Sequence, residues 1–137
     1  MNPIAQFEAY ENRRSFPRLL LHVPVKVQYE NGKYVKANLH DLSPDGLQIR
    51  CDQDTANKIH PAQTQILKNA QPSIVVGFSL PKTDVNIEII VKCAICYFGL
   101  LPPGTSNEVA FGLQFKQFSG DCRQHIKKFF LSEMESA

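Results

Sequence analysis

The chain has 137 residues, 43% of them hydrophobic and 20% charged, with a formal net charge of +2. That size and composition describe one folded domain with its own core, and no apolar stretch approaches the roughly 20 residues of a membrane-spanning helix. The near-balanced charge argues against nucleic acid as a partner, because nucleic-acid binders usually carry a clear excess of Lys and Arg.

Residues 1–12 read as a flexible N-terminal arm. Ile4, Phe7 and Tyr10 recur every three residues and would give one or two turns of amphipathic helix, too short to be stable alone. The arm holds two acids and no apolar run, so it does not resemble a secretory signal, and a cytoplasmic address is expected. Three arginines, Arg13, Arg14 and Arg18, then fall within six residues.

From Leu19 the pattern alternates strictly. Leu19, Leu21, Val23, Val25, Val27 and Tyr29 interleave with a more polar set, which predicts a half-buried strand. Pro24 falls on the outward set and predicts an edge or a bulge. Asn31-Gly32 suits a two-residue hairpin turn, and a second strand is expected from about Lys33 to His40. Asp41-Leu-Ser43-Pro-Asp-Gly46 has turn chemistry, and Leu47, Ile49 and Cys51 alternate beyond it as a third strand.

The polar stretch from about 52 to 71 reads as an insertion with a short helix starting near Pro61, a residue suited to a first helical position. Strands are expected again over 73–80, 85–98 and 108–115, with a Pro/Gly loop over 99–107. Ile126, Phe129, Phe130 and Met134 fall at helical spacing, with Asp121 placed to cap the helix or oppose its dipole. The fold class implied is mainly β: a six-stranded antiparallel barrel with a C-terminal helix and a helical insertion.

Cys51, Cys93, Cys96 and Cys122 are too few and too irregular for a disulfide framework. Cys93 and Cys96 form a CxxC, but no second pair completes a metal site. In a strand, residues three apart also face opposite ways. These thiols read as small core hydrophobes, and no metal or cofactor is expected. His22, His40, His60 and His125 have no nucleophile or carboxylate at a catalytic spacing, so no catalytic residue and no enzyme activity are expected.

Two motifs stand in a fixed relation to the first hairpin. Arg14-Ser-Phe-Pro-Arg18 is an RxxxR just before the first strand, and Asp41 to Gly46 is a DxSxxG between the second and third. In that order they resemble the PilZ domain, a bacterial receptor module for cyclic di-GMP. The resemblance extends to Ile95-Cys-Tyr97 and Phe111-Gly112-Leu-Gln-Phe115 as a final strand pair, with a helix after them. It places the domain at about 13–134. It also implies a nucleotide-binding protein of bacterial second-messenger signalling, with Arg13, Arg14, Arg18, Asp41, Ser43 and Gly46 on the ligand.

The chemistry of those residues suits such a ligand. Guanidinium forks meet phosphate oxygens bidentately and can reach guanine O6 and N7 or stack on the base. Asp41 can accept from guanine N1 and N2, a pairing that rejects adenine. Ser43 offers a small hydroxyl, and Gly46 either permits close backbone approach or takes a φ that other residues refuse.

In this family an arginine immediately before RxxxR, here Arg13, favours a stacked dimer of the ligand, implying two molecules per domain. Tyr97 stands where relatives often carry a tryptophan near the ligand; stacking on guanine and packing in the core are both open to it. The implied mechanism is ordering of the arm on binding, which would alter the surface offered to a downstream protein partner. The alternative is a PilZ-fold interaction adaptor that does not bind nucleotide, although such relatives typically lack parts of the motif.

Overall fold

The computed structural model describes residues 18–30, 32–61, 65–81, 86–101 and 108–136, with side chains to 133. Arg13, Arg14, Asn31 and the whole of the arm lie outside the described residues. Six strands run β1 (Leu19–Glu30), β2 (Lys33–Ser43), β3 (Gly46–Cys51), β4 (Ser73–Ser79), β5 (Glu88–Leu100) and β6 (Val109–Phe118). Helix α1 (Gln53–Ile59) follows β3, and α2 (Cys122–Ser136) follows β6. Every pairing is antiparallel, and the sheet closes into a barrel in the order β1-β2-β3-β6-β5-β4.

The period-two pattern of the sequence decides which side of each strand is buried. Leu21, Val25 and Val27 of β1 point inward and meet Leu39 and Leu42 of β2, Leu47 and Ile49 of β3, and Phe111 and Leu113 of β6. Each such side chain contributes about 1.5–3 kcal/mol on leaving water. Glu30 pairs with Lys33, and Gly32 has φ +75°, as the predicted hairpin requires of it. The register slips between Leu20 and Val23, just before Pro24. Pairing with β4 covers only Lys26 to Gln28, so the missing N–H of Pro24 interrupts no ladder on that side.

Two expectations need correction. The second strand does not stop at His40 but runs on through Asp41, Leu42 and Ser43, leaving Pro44-Asp45 as a two-residue turn closed by the Ser43–Gly46 pair. The short helix of the insertion precedes Pro61 instead of starting there. Asp52 caps it, accepting a hydrogen bond from the Thr55 amide at 2.8 Å, and the chain leaves the helix at His60. A residue before proline is pushed out of helical conformation, so Pro61 acts as a stop.

Both helices pack on the core. Ala56 and Ile59 of α1 join it, and His60 sets its ring edge-on to Phe98 near the end of β5. Cys122, Ile126 and Phe129 of α2 join it near the start of β5, where the Cys122 thiol faces the Glu88 carbonyl. The helices thus lie toward opposite ends of a thirteen-residue strand. Asp121 accepts from the Gln124 and His125 amides through its backbone carbonyl, while its carboxylate pairs with His125 at 3.2 Å.

Candidate functional site

One outward row of cross-strand partners departs from the barrel's solvated exterior. It runs Leu20–Asp41–Gln48–Gly112–Tyr97 across β1, β2, β3, β6 and β5. Asp41 is 1% exposed, and Gln48 and Tyr97 are fully buried, although Leu42, Leu47, Ile49 and Phe98 next to them in the chain occupy the barrel interior. A buried polar row needs partners, and several are present. Arg18 lies directly before β1, and the Leu20–Asp41 pairing brings its Nη1 to 3.5 Å from Asp41 Oδ2. The two sequence motifs therefore meet at their Arg18 and Asp41 ends.

Gln48 donates from Nε2 to Tyr97 Oη at 3.1 Å, and its Oε1 accepts from Arg50 Nε at 2.9 Å. The Tyr97 ring lies on Gly112 so closely that a Cβ there would fall 1.8 Å from Cε1. The packing reading of Tyr97 thus has a definite place, on the outer face in a small second cluster with Leu101 and Ala110. A register slip between Ile95 and Tyr97 puts it there.

At the hairpin, Ser43 Oγ is buried, 2.7 Å from Asp45 Oδ1 and 3.2 Å from the Gly46 carbonyl. Gly46 serves close approach and not a special φ: an added Cβ would sit 2.1 Å from the Leu113 carbonyl oxygen of β6. The Asp45 carbonyl accepts from the Phe115 amide at 2.9 Å, fixing the turn to β6. Asp41, Ser43 and Gly46 are thus held on adjoining strand ends, with Arg18 against the first of them.

The cysteines take no part in this face apart from Cys96. Burial pushes the Cys93 thiol up to about 12, with a smaller push from Cys96. Burial likewise lifts Cys51 to about 12, helped by Asp52 and then Glu108. Cys93 lies in the main core and Cys96 beside the Tyr97 cluster, on opposite sides of the sheet as the spacing predicts. No cluster of three or more potential metal-ligating side chains occurs among the described residues.

Residues 12–132 match the family model described as the PilZ domain. The chain belongs to the PilZ family. Solved structures with the same fold include the Bacillus subtilis inhibitor of motility MotI/DgrA, 13% identical, with a TM-score of 0.66 over 90% of this chain and 52% of that one. The K. pneumonia MrkH–c-di-GMP complex is 17% identical, with a TM-score of 0.62 over 90% of this chain and 53% of its own. The PilZ domain of YcgR from Escherichia coli, with c-di-GMP, is 12% identical, with a TM-score of 0.59, 90% of this chain and 94% of that one being covered. This PilZ chain spans about half the length of the first two. No curated protein matches it by sequence.

Within this PilZ domain, sequence reasoning missed Gln48 and Arg50 and left Tyr97 off the site. A signal for Gln48 existed: it is the polar residue between core-facing Leu47 and Ile49, two places beyond the DxSxxG glycine. Nothing in the sequence ties it to Tyr97, 49 residues away. No helix among the described residues is long and apolar enough to cross a membrane.

Proposed function

We propose that this PilZ domain is a regulatory receptor for cyclic di-GMP, without catalytic activity of its own, in which Arg13, Arg14 and Arg18 hold the phosphates and guanine edges and Asp41 reads guanine. The observation that carries the reading is the placement of Arg18 against Asp41 by the β1–β2 register. One guanidinium and one carboxylate are the complementary halves needed for a phosphate and for the N1–H and N2–H donors of guanine. Asp45 and Gly46 hold Ser43 at the adjoining strand end, within the same surface.

Asp41 is 1% exposed, so a guanine reaches its carboxylate only when what lies over it, Arg18 included, moves. That requirement supports a switch in which the arginine segment rearranges and orders around the ligand, altering the surface offered to a downstream protein. Arg13 adds the third cation expected for two stacked ligand molecules. Protection of the 1–17 amides from exchange should rise on ligand addition; unchanged protection would remove the switch.

Calorimetric titration with cyclic di-GMP tests the receptor reading directly. Arg14→Ala/Arg18→Ala should weaken binding by about tenfold or more per lost charged hydrogen bond, each worth about 1.5–3 kcal/mol, and GTP should give no heat. A stoichiometry of two supports the stacked dimer and a value of one excludes it. Absence of heat with the native chain would leave the interaction adaptor as the reading, a role that the engagement of Ser43 within its own turn also suits.

A further inference from the structure

The face away from the Asp41 row is built differently. Its outward row runs Lys36–Lys26–Gly77–Ile90 across β2, β1, β4 and β5, and the next runs Tyr34–Gln28–Val75–Lys92. Here β1 and β4 share only three pairs, and a groove of about 850 Å³ lies across the four strands. Gly77 forms its floor. A Cβ there would meet nothing nearer than the Ile89 carbonyl oxygen at 3.8 Å, so the space over it is open. Tyr34 and Ile90, 61% and 45% exposed, stand as apolar walls.

The charge is also unusual. Lys26 and Lys36 are direct cross-strand partners, an arrangement that is destabilising for like charges. The ion pairs between described residues are Arg18–Asp41, Lys33–Glu30 and His125–Asp121, and neither lysine joins them. Among the described residues, the groove lining holds these two lysines against one carboxylate, Glu88.

We propose that this groove docks an acidic segment of a partner protein, with an apolar side chain seated over Gly77 and carboxylates on Lys26 and Lys36. An acidic occupant supplies the missing counter-charge. The apolar walls and bare floor favour a peptide over a phosphate chain or a membrane surface, which would use the lysines and leave Tyr34 and Ile90 without partners.

The test uses the full chain, isotope-labelled for amide resonances, and a short peptide alternating glutamate with leucine and phenylalanine. Its counterpart with lysine for glutamate serves as control. Saturable shifts on the outward residues of β1, β2, β4 and β5 are expected with the acidic peptide alone. Lys26→Glu/Lys36→Glu should weaken that peptide by at least about tenfold and improve the basic one, a reversal that misfolding cannot produce. Gly77→Val should weaken the acidic peptide by filling the floor, with the melting temperature kept. Equal binding of both peptides, shifts confined to other strands, or preference for anionic vesicles would each overturn the proposal. So would the same shifts arising from self-association without peptide.

Discussion

Two outer faces of one barrel solve opposite problems. Over the end of β2, β3, β6 and the latter part of β5, the exterior is closed: Asp41, Gln48 and Tyr97 are buried, the Tyr97 ring lies on Gly112, and Tyr97, Gln48 and Arg50 form a hydrogen-bonded chain. Over the start of β2, β1 and β4, the exterior is open, with a bare glycine floor and two lysines facing each other. Glycine appears centrally in both rows but for different reasons. Gly112 is small because a ring occupies its space, and Gly77 leaves its space empty. In the proposed reading the closed face must rearrange to take a small charged ligand, whereas an open groove suits a larger partner that brings its own side chains.

Substitutions that add one methyl group break this comparison most sharply. Gly46→Ala should have the largest effect, a loss of about 3 kcal/mol or more, because the new Cβ meets β6 backbone at 2.1 Å and the strands must part. Gly112→Ala should cost about 1–3 kcal/mol by lifting the Tyr97 ring and with it the bond to Gln48. Tyr97→Phe keeps the ring and should cost about 1 kcal/mol. Gly77→Ala should stay within about 0.5 kcal/mol of the native chain. Urea unfolding of the four variants would measure the order, and equal losses at Gly112 and Gly77 would refute the distinction between the faces.

Charge and thiol chemistry sharpen it further. Lys26→Glu removes a like-charge pair and should stabilise by about 0.2–1 kcal/mol, visible as a small rise in melting temperature that salt diminishes. Alkylation of the native protein near neutral pH should spare Cys93 and Cys51, whose thiols are pushed up to about 12, and proceed first at half-buried Cys96. Mass spectrometry of the labelled peptides would decide the order. The smallest effect is expected at Asp52, whose carboxylate is held below its ordinary value by the backbone hydrogen bond from Thr55. A lowered carboxylate value stabilises the fold above the unfolded-state value and loses that contribution as the pH falls through the folded one. The pH dependence of stability should therefore flatten slightly in Asp52→Ala, only below the ordinary aspartate range near 4.

By itself the sequence determined the strands, the antiparallel barrel and the order of the two motifs around the first hairpin. Alternation from Leu19 to Tyr29 and the Asn31-Gly32 turn are local properties, written in neighbouring residues and enforced by burial of one side of each strand. The same locality explains the misplaced helix: proline suits both a helix start and a helix stop, and only the Asp52 cap decided between them. Closure of the barrel decided the rest. It set Gln48 of β3 and Tyr97 of β5 on either side of Gly112, through a register slip that no periodicity reveals. It also placed Gly77 of β4 beside Lys26 of β1, at a seam between strands far apart in the chain. Which residues share a face across such a seam depends on register and shear of the closed sheet, and those arise only when all six strands pair at once.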